Sequence, residues 1–210
     1  MLFRSDAIGV AVGSELDRII AFATLLTKWN AKIRLVGPSD QYTIVREQIV
    51  DAMGFAPAIE ALDSDAYWDI GAGGGLPGVL MALRYPDRRF ILVEPIHKKT
   101  AFLQHAAQSL GIPNMQVHTG RVNPNGTIDP VLRLHDRPTA AFSRATLGPE
   151  EWLPTATRLV GPGGIVLIAV ADQLPAPVNS DPDTIEIGRW QWTVPATAAP
   201  RLLVARKVRA

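Results

Sequence analysis

The stretch "YWDIGAGGGLPG", which runs from Tyr67 to Gly78, decides the fold of this chain. A short apolar run ends in Asp69 and is followed by five glycines within eight residues. Glycine weakens a buried strand because it has no side chain to pack. It is instead typical of the turn between a parallel strand and the next helix, where the bare main chain can approach a ligand. The stretch therefore predicts a strand, a tight loop and the first turn of a helix, with Pro77 near its start.

The segments after this loop continue the alternation of strands and helices. The five predicted strands of this series are "YWDI", "RFILVE", "MQVHTG", "TAAFSRA" and "IVLIAVA". The helices between them are "PGVLMALRY", "HKKTAFLQHAAQSLG" and a segment near Pro149–Leu159. This alternation predicts a mostly parallel sheet with helices on both faces, a Rossmann-like α/β fold. Two further strands, "TIEIGRWQWTV" and "RLLVARKV", have no helix between them, so we expect an antiparallel pair that closes one edge and makes the sheet seven-stranded.

Two helices are predicted before the first strand. "SELDRIIAFATLLTKWN", which starts at Ser14, has apolar residues at helical spacing, and a second helix is expected from Ser39 to about Met53, capped by Ser39 or Asp40. A chain of 210 residues suits one α/β domain. We divide it into an N-terminal helical extension (1–64), an α/β core (65–172) and the closing strands (173–210).

Composition excludes several classes of protein. The chain has 21 Lys and Arg against 20 Asp and Glu, so a basic site must arise from local clustering. It has no cysteine, which excludes disulfides, thiolate metal sites and a cysteine nucleophile. The four histidines show no metal-ligand spacing, so we expect no metal. No apolar run approaches the length of a membrane span, and "AIGVAVG" at Ala7–Gly13 is too short for a signal peptide, so we expect a cytoplasmic protein without membrane contact.

Three interpretations of the glycine loop remain open. It could be a tight turn without a ligand, although one or two glycines would suffice for that. Gly73, Gly75 and Gly78 also satisfy the G-x-G-x-x-G pattern of nicotinamide dinucleotide sites, but this pattern leaves Asp69 and Gly71 without a role. The third interpretation is a site for S-adenosylmethionine.

The S-adenosylmethionine interpretation gives every residue of the pattern a role. Asp69-x-Gly71-x-Gly73-x-Gly75 is the D-x-G-x-G pattern of enzymes that bind this cofactor on a Rossmann-like sheet. The glycine main chain accommodates the amino-acid part of the cofactor, and Asp69 orients its ammonium directly or through water. Glu94, which ends the second strand, is placed to accept both ribose hydroxyls. We favour this interpretation.

Five motifs span nearly the whole chain: "LLTKWNAKIRLVGPSD", "WDIGAGGGLPGVLMALRYP", "LVEPIHKKTAFLQ", "FSRA" and "PRLLVARK". Together they closely resemble the motifs of a known family, the bacterial GidB/RsmG proteins, which methylate guanine N7 in small-subunit (16S) ribosomal RNA. The resemblance implies a class I S-adenosylmethionine-dependent methyltransferase that acts on ribosomal RNA, the 30S subunit or an assembly intermediate.

The resemblance also assigns site residues. It implies that Gly71, Gly73, Gly75 and Leu76 line the methionine side of the cofactor and that Glu94 holds the ribose. Val122 and Asn123 match the positions that contact the adenine, and Arg144 matches an arginine near the cofactor and the target base.

Several positions depart from the family pattern, mostly on the substrate side. The family's "NLT" is Arg34-Leu35-Val36 here, a family histidine is Gln48, an adenine-side acid is Asn123, and a Lys-Gly pair is Ala169-Val170, whereas Asp51 is kept. These changes, together with the near-zero net charge, leave a second hypothesis open, in which the methyl acceptor is a small heteroaromatic metabolite. A binding module without catalysis is a third, against which the intact glycine loop and Glu94 argue.

The chemistry of guanine N7 suits these residues. N7 carries a lone pair and no proton, so its methylation needs alignment and exclusion of water but no general base. Arg144 and Arg121 are the catalytic candidates, since a guanidinium can hold a phosphate or the O6 edge of the base. Lys98 and Lys99 begin the helix after Glu94 and are candidates for backbone phosphates. "NPNG" at Asn123–Gly126 is interpreted as a turn.

Overall fold

A computed structural model describes residues 14–129, 138–144 and 146–210 of the chain. The expectation for Ala7–Gly13 lies outside these residues. Among the helices that the structure describes, none is long and apolar enough to cross a membrane.

One seven-stranded sheet forms the centre of the molecule. The strands, including a separate short hairpin of β4 and β5, are β1 Ala66–Ile70, β2 Arg89–Glu94, β3 Met115–Thr119, β4 Arg121–Val122, β5 Ile128–Asp129, β6 Ala140–Ser143, β7 Ile165–Val170, β8 Thr184–Val194 and β9 Ala199–Val208. The order in the large sheet is β3-β2-β1-β6-β7-β9-β8. β1 pairs in parallel with β2 and β6, whereas β9 is antiparallel to both β7 and β8. The predicted parallel sheet with an antiparallel closing pair is confirmed.

The helices cover the sheet from both sides, as predicted. They are α1 Ser14–Ile33, α2 Gln41–Thr43, α3 Val50–Met53, α4 Ala56–Ala61, α5 Gly78–Arg84, α6 His97–Ser109, α7 Pro149–Val160 and α8 Ala176–Asn179. α1 and α3 to α6 share one apolar core with alternate strand residues such as Tyr67, whereas α7 and α8 pack with Trp68 and its neighbours on the opposite face. This division follows from the alternation of side chains along each strand.

The second predicted helix has the Asp40 cap that the sequence offered, and it differs from expectation in its middle. It begins at Gln41, because the Asp40 side chain accepts a hydrogen bond from Thr43 N at 2.8 Å and caps the helix. A π-helical stretch, Ile44–Ile49, joins α2 to α3. Such single π-helical turns are frequent at functional sites, and the apolar periodicity of the sequence does not reveal them.

The loop after α1 covers the glycine loop. The Asn30 side chain accepts hydrogen bonds from Leu35 N at 2.6 Å and Val36 N at 2.9 Å, and it donates to Pro38 O at 2.6 Å. Leu35 and Val36 in turn pack so closely on Gly74 that an added Cβ there would lie 3.1 Å from Val36 Cγ1. The N-terminal helices are therefore part of the wall of the glycine loop, and the domain boundaries at residues 64 and 172 stay a prediction.

The order of the strands in the sheet changes direction at β1, which places a crevice at the carboxyl end of this strand. β2 and β3 lie on one side of β1, and β6 and β7 lie on the other. In open parallel sheets, ligands bind at this switch point, beyond the carboxyl ends of the strands. The glycine loop follows β1 and Arg144 follows β6, so both reach this crevice.

Candidate active site

The glycine loop lays its main chain bare at the mouth of the crevice. Gly71, Gly73 and Gly75 have φ angles of 74°, 55° and 78°, in the left-handed region that glycine adopts without steric cost. Gly71 N donates to Val93 O at 2.8 Å, which anchors the loop to β2. Above Gly73, the nearest atom to an added Cβ is Gly71 O at 3.7 Å. The loop therefore has room for a ligand that lies directly on Gly73, as the cofactor interpretation requires.

Asp69 lies beneath this loop. Its side chain is 1% exposed, and its Oδ2 accepts a hydrogen bond from Gly78 N at 3.0 Å. An added Cβ at Gly78 would lie 2.5 Å from that oxygen, so the carboxylate fixes the start of α5 and requires glycine there. Burial raises the pKa of Asp69 to about 7, with the bond from Gly78 and the charge of Arg144 acting in the opposite direction. Contact of Asp69 with a cofactor ammonium stays a prediction.

The raised pKa of Asp69 predicts a stability that falls with pH. Between its ordinary value and about 7, the folded protein binds a proton that the unfolded chain does not, so the free energy of unfolding decreases as pH rises through this window. Asp69→Asn keeps an acceptor for Gly78 N and removes the titration. We compare the free energy of unfolding of this variant with that of the wild type at each pH. The difference should be more favourable to the variant by about 2 kcal/mol at about pH 8 than at about pH 5.5, since one pKa unit is worth about 1.4 kcal/mol.

Urea unfolding at the two pH values measures this difference. Asp65→Asn is the matched control, because Asp65 is an exposed aspartate just before β1. An equal Asp69→Asn effect at both pH values would mean that Asp69 is already ionised in the folded protein at the lower one.

Glu94 connects the glycine loop to the start of α6. Its Oε2 accepts a hydrogen bond from Gly73 N, and its Oε1 accepts one from Ile96 N, both at 2.9 Å. The side chain is 3% exposed, and the two amides fix its orientation at the end of β2. A carboxylate has about four lone-pair positions, so each oxygen keeps one for a further donor. Two adjacent hydroxyls of a ribose match that capacity.

The predicted adenine-side residues lie in the short hairpin next to Glu94. Gly120 N donates to Glu94 O at 3.2 Å, and Val122 and Asn123 follow in β4 and the turn after it. Asn123 Nδ2 donates to Thr127 Oγ1 at 3.3 Å, and Gly126 N donates to Asn123 O at 2.9 Å, so the predicted turn at "NPNG" is confirmed. Contact of Val122 and Asn123 with an adenine stays a prediction.

Leu76 lies at the far end of the glycine loop. Its side chain is 8% exposed and packs in the core that α1 shares with α3 to α6. A contact with the cofactor would therefore involve its main chain or the edge of its side chain, and that assignment also stays a prediction.

Arg144 reaches the crevice from β6. Ser143 Oγ donates to Ile70 O at 2.8 Å, which holds the end of β6 against β1. Arg144 Nη2 donates to Gln48 Oε1 at 2.8 Å and lies 3.3 Å from Asp51 Oδ2. Burial lowers the pKa of Arg144 and the Asp51 carboxylate opposes that shift, but an arginine remains charged in proteins. The structure therefore holds a fixed cation beside the glycine loop.

Asp51 is the centre of a cluster that the sequence did not reveal. Its Oδ1 accepts hydrogen bonds from Trp192 Nε1 and from Arg201 Nε, both at 3.1 Å, while its Oδ2 faces Arg144. In the sequence, Gln48 and Asp51 stand out only as motif positions, and nothing in the spacing of Trp192 and Arg201 indicates this contact. Asp51 lies in α3, while its partners lie in β8, in β9 and directly after β6, so only the tertiary fold brings these residues together.

The remaining candidates lie around the crevice. Lys98 and Lys99 are in the first turn of α6, next to the Glu94 contact with Ile96, and Lys98 is exposed while Lys99 is half-buried. Arg121 is exposed on β4, which follows β3. β3 and β6 are three strand positions apart, about 14 Å, and the catalytic role of Arg121 stays a prediction. Within the described part of the chain, no group of three or more His, Asp or Glu side chains is placed to hold a metal ion.

The strand order, the glycine loop at the switch point and the fixed carboxylate after β2 define a class I S-adenosylmethionine-dependent methyltransferase. Residues 15–192 match the sequence model of a family described as "GidB: rRNA small subunit methyltransferase G". The chain belongs to this family. The resemblance, the fold and the cofactor expected from the sequence are confirmed.

One relative agrees with the family assignment, and two solved structures share the fold. The "Ribosomal RNA small subunit methyltransferase G" of Burkholderia pseudomallei strain 1106a is 30% identical over 203 residues, which cover 95% of this chain and 86% of that protein. Among solved structures, a putative O-methyltransferase from Klebsiella pneumoniae superposes with a TM-score of 0.62 at 14% identity, covering 96% of this chain and 93% of the other. The O-methyltransferase TomG from Streptomyces achromogenes, solved in complex with SAM, has a TM-score of 0.58 at 15% identity and covers 98% and 94%.

Proposed function

We propose that this methyltransferase transfers the methyl group of S-adenosylmethionine to N7 of a guanine in small-subunit ribosomal RNA. The family match carries the proposal, because it spans residues 15–192 and so includes the glycine loop, Glu94 and Arg144 in one alignment. Such a substrate belongs to the cytoplasm, either as the 30S subunit or as an assembly intermediate.

The side chains of the crevice suit a reaction without a general base. The bound cofactor supplies a methyl group already activated on a sulfonium, so the enzyme has to align the acceptor and exclude water. Such positioning can supply about 7–11 kcal/mol of the barrier. Glu94 is fixed by two main-chain amides and suits a ribose, while the open space above the main chain of Gly73 suits the amino-acid part of the cofactor. Guanine N7 has no proton to remove, which agrees with these roles.

Arg144 is the residue best placed to orient the target base. The methylated base is a cation, so a fixed guanidinium would not stabilise that charge directly. It can instead donate to the O6 edge of guanine or to a neighbouring phosphate. Gln48 and Asp51 hold Arg144 in one orientation, and its side chain keeps 19% of its surface exposed toward such a partner. Arg121, which is exposed on β4, is a second candidate for this role or for a phosphate contact.

A second candidate substrate is a small heteroaromatic metabolite. Its support is specific: Gln48, one of the positions that depart from the family pattern, directly contacts Arg144. A change at that point alters the neighbourhood of the acceptor, while the cofactor side is left intact.

Incubation with methyl-labelled S-adenosylmethionine distinguishes the two candidates. Purified 30S subunits, naked small-subunit rRNA and a metabolite pool are offered in parallel, and the RNA is digested to nucleosides and separated by chromatography. We expect label in 7-methylguanosine from the RNA fractions. Label confined to the metabolite fraction would contradict the proposal, and the ratio between 30S subunits and naked rRNA identifies the form that the enzyme accepts.

A further inference from the structure

Two segments of the chain contain basic residues but no acidic residue. From Lys28 to Ser39 there are three cations and no acidic residue, and from Pro95 to Ile128 there is again no acidic residue. The whole chain is nearly neutral, with 21 basic and 20 acidic side chains. The acids are therefore concentrated elsewhere, and the question is whether the two segments meet on the surface.

Both segments border the same glycine loop. Leu35 and Val36 pack on Gly74, and the next residue toward the N-terminus is Arg34. On the other side, Gly73 N and Ile96 N donate to the two oxygens of Glu94, which places the start of α6 against the same loop. Arg34 and the first turn of α6 thus flank the loop that forms the mouth of the crevice.

An aromatic contact joins the two helices close to this point. The rings of Trp29 and Phe102 lie 5.7 Å apart. Lys28 precedes Trp29 and Lys32 follows it by three residues, while Lys98 and Lys99 precede Phe102 by four and three residues. Residues three or four apart share a helix face, and one turn is about 5.4 Å long. Lys32, Lys98 and Lys99 therefore lie within about one helical turn of the contact, and Lys28 is the direct neighbour of Trp29. Together with Arg34 these four lysines are called the basic rim: Lys28, Lys32, Arg34, Lys98 and Lys99.

Four of the five cations of the basic rim are exposed, and Lys99 is half-buried. Among the described residues, none of the five forms a salt bridge with an acidic side chain. Arg34 is also held at a φ angle of 51°, which an arginine adopts only at a steric cost. Cations without an acidic partner at the entrance to such a site favour the binding of a polyanion, because each one can replace the counterions of a phosphate.

We infer that the basic rim is the surface on which the phosphate backbone of the RNA substrate lies while the target base enters the crevice. The inference rests on the proposed function and goes beyond it by assigning Lys28, Lys32 and Arg34 of the N-terminal layer to RNA. It makes Arg34 a residue at which binding and stability oppose each other. Asparagine tolerates the left-handed conformation better than arginine and carries no charge.

Arg34→Asn should therefore weaken RNA binding while it stabilises the fold. Binding of naked small-subunit rRNA is titrated over a range of salt concentrations, and the slope of log K against log salt should become shallower by about 0.7–0.9 for each phosphate that is no longer bound. Lys32→Ala should lower the slope similarly. The melting temperature of Arg34→Asn should rise by about 2 °C.

Two control variants make the outcome specific. Arg34→Lys keeps the charge and should retain the wild-type slope. Arg89→Asn removes an exposed arginine from the start of β2, at the opposite end of the strand from the crevice, and should not change the slope. The role of the basic rim would be overturned if Arg34→Asn and Lys32→Ala both kept the wild-type slope, or if Arg89→Asn made the slope shallower by the same amount as they do. If these variants bind as wild type and RNA is still methylated, only the rim fails; if the wild type neither binds nor methylates RNA, the proposed function fails with it.

Discussion

Replacement of Asp51 with alanine is expected to lower the free energy of unfolding by about 3 kcal/mol. The carboxylate is 7% exposed and accepts from Trp192 and Arg201 while it faces Arg144. Its removal leaves two guanidinium groups close together without their counter-charge, and breaking a buried ion pair on one side typically costs about 3–5 kcal/mol. We place the expected loss at the lower end because the Arg201 side chain is 30% exposed and water can partly take the place of the carboxylate there.

Two variants separate the charge from the packing and from general effects of mutation. Asp51→Asn keeps the volume and an acceptor for Trp192 but loses the charge, so it should lie between wild type and Asp51→Ala. Asp63→Ala removes an exposed aspartate after α4 and should stay within about 0.5 kcal/mol of wild type. Equilibrium urea unfolding gives the three values. An Asp51→Ala protein as stable as Asp63→Ala would show that the cluster contributes nothing to the fold.

Asp51→Ala should also have a lower turnover rate than the wild type. Arg144 loses one of the two side chains that orient it, so the rate at saturating cofactor should fall at a temperature where Asp51→Ala is still folded. Arg201→Ala leaves the contact between Arg144 and Asp51 in place and should retain more activity. Equal losses in the two variants would mean that the orientation of Arg144 does not depend on Asp51.

Replacement of Glu94 with alanine is expected to weaken the binding of S-adenosylmethionine by about 100-fold, which corresponds to almost 3 kcal/mol. Two effects contribute. The ribose hydroxyls lose a charged acceptor, and Gly73 N and Ile96 N lose the carboxylate that holds the loop and the start of α6 in place. Glutamine is not a conservative replacement here, because only one of its two terminal atoms can accept a hydrogen bond.

Calorimetric titration with S-adenosylmethionine measures this effect, and a melting curve of the free protein shows whether the fold survives. Glu60→Ala, which removes an exposed glutamate of α4, is the matched control and should bind as the wild type does. An unchanged affinity in a folded Glu94→Ala protein would mean that the ribose lies elsewhere in the crevice.

The sheet and the cofactor loop were predictable because their signals are local. The apolar run before Asp69, the glycines after it and the short strand that ends in Glu94 are each contained within a few residues, and the alternation of elements then determines a parallel sheet. Asp69 was also visible, as the first residue of the D-x-G-x-G pattern. What it did not reveal is that the carboxylate is buried under α5 and fixes the loop from below.

The surroundings of Arg144 were not predictable, since they depend on tertiary packing. Asp51 and Arg201 are separated by 150 residues, and neither position carries a periodic or motif signal for their contact. The π-helical stretch that supplies Gln48 has the same apolar spacing as an ordinary helix at the level of sequence. The N-terminal helices were expected to be an addition to the core, whereas the structure places them against Gly74 and Arg144.

A crystal structure of the protein with S-adenosylhomocysteine tests the central claim most directly. We predict that the amino-acid part lies on the main chain at Gly71 and Gly73, that both ribose hydroxyls donate to Glu94, and that the sulfur faces the side of the crevice where Arg144 is held. A ligand bound away from the glycine loop, or a ribose without contact to Glu94, would contradict it.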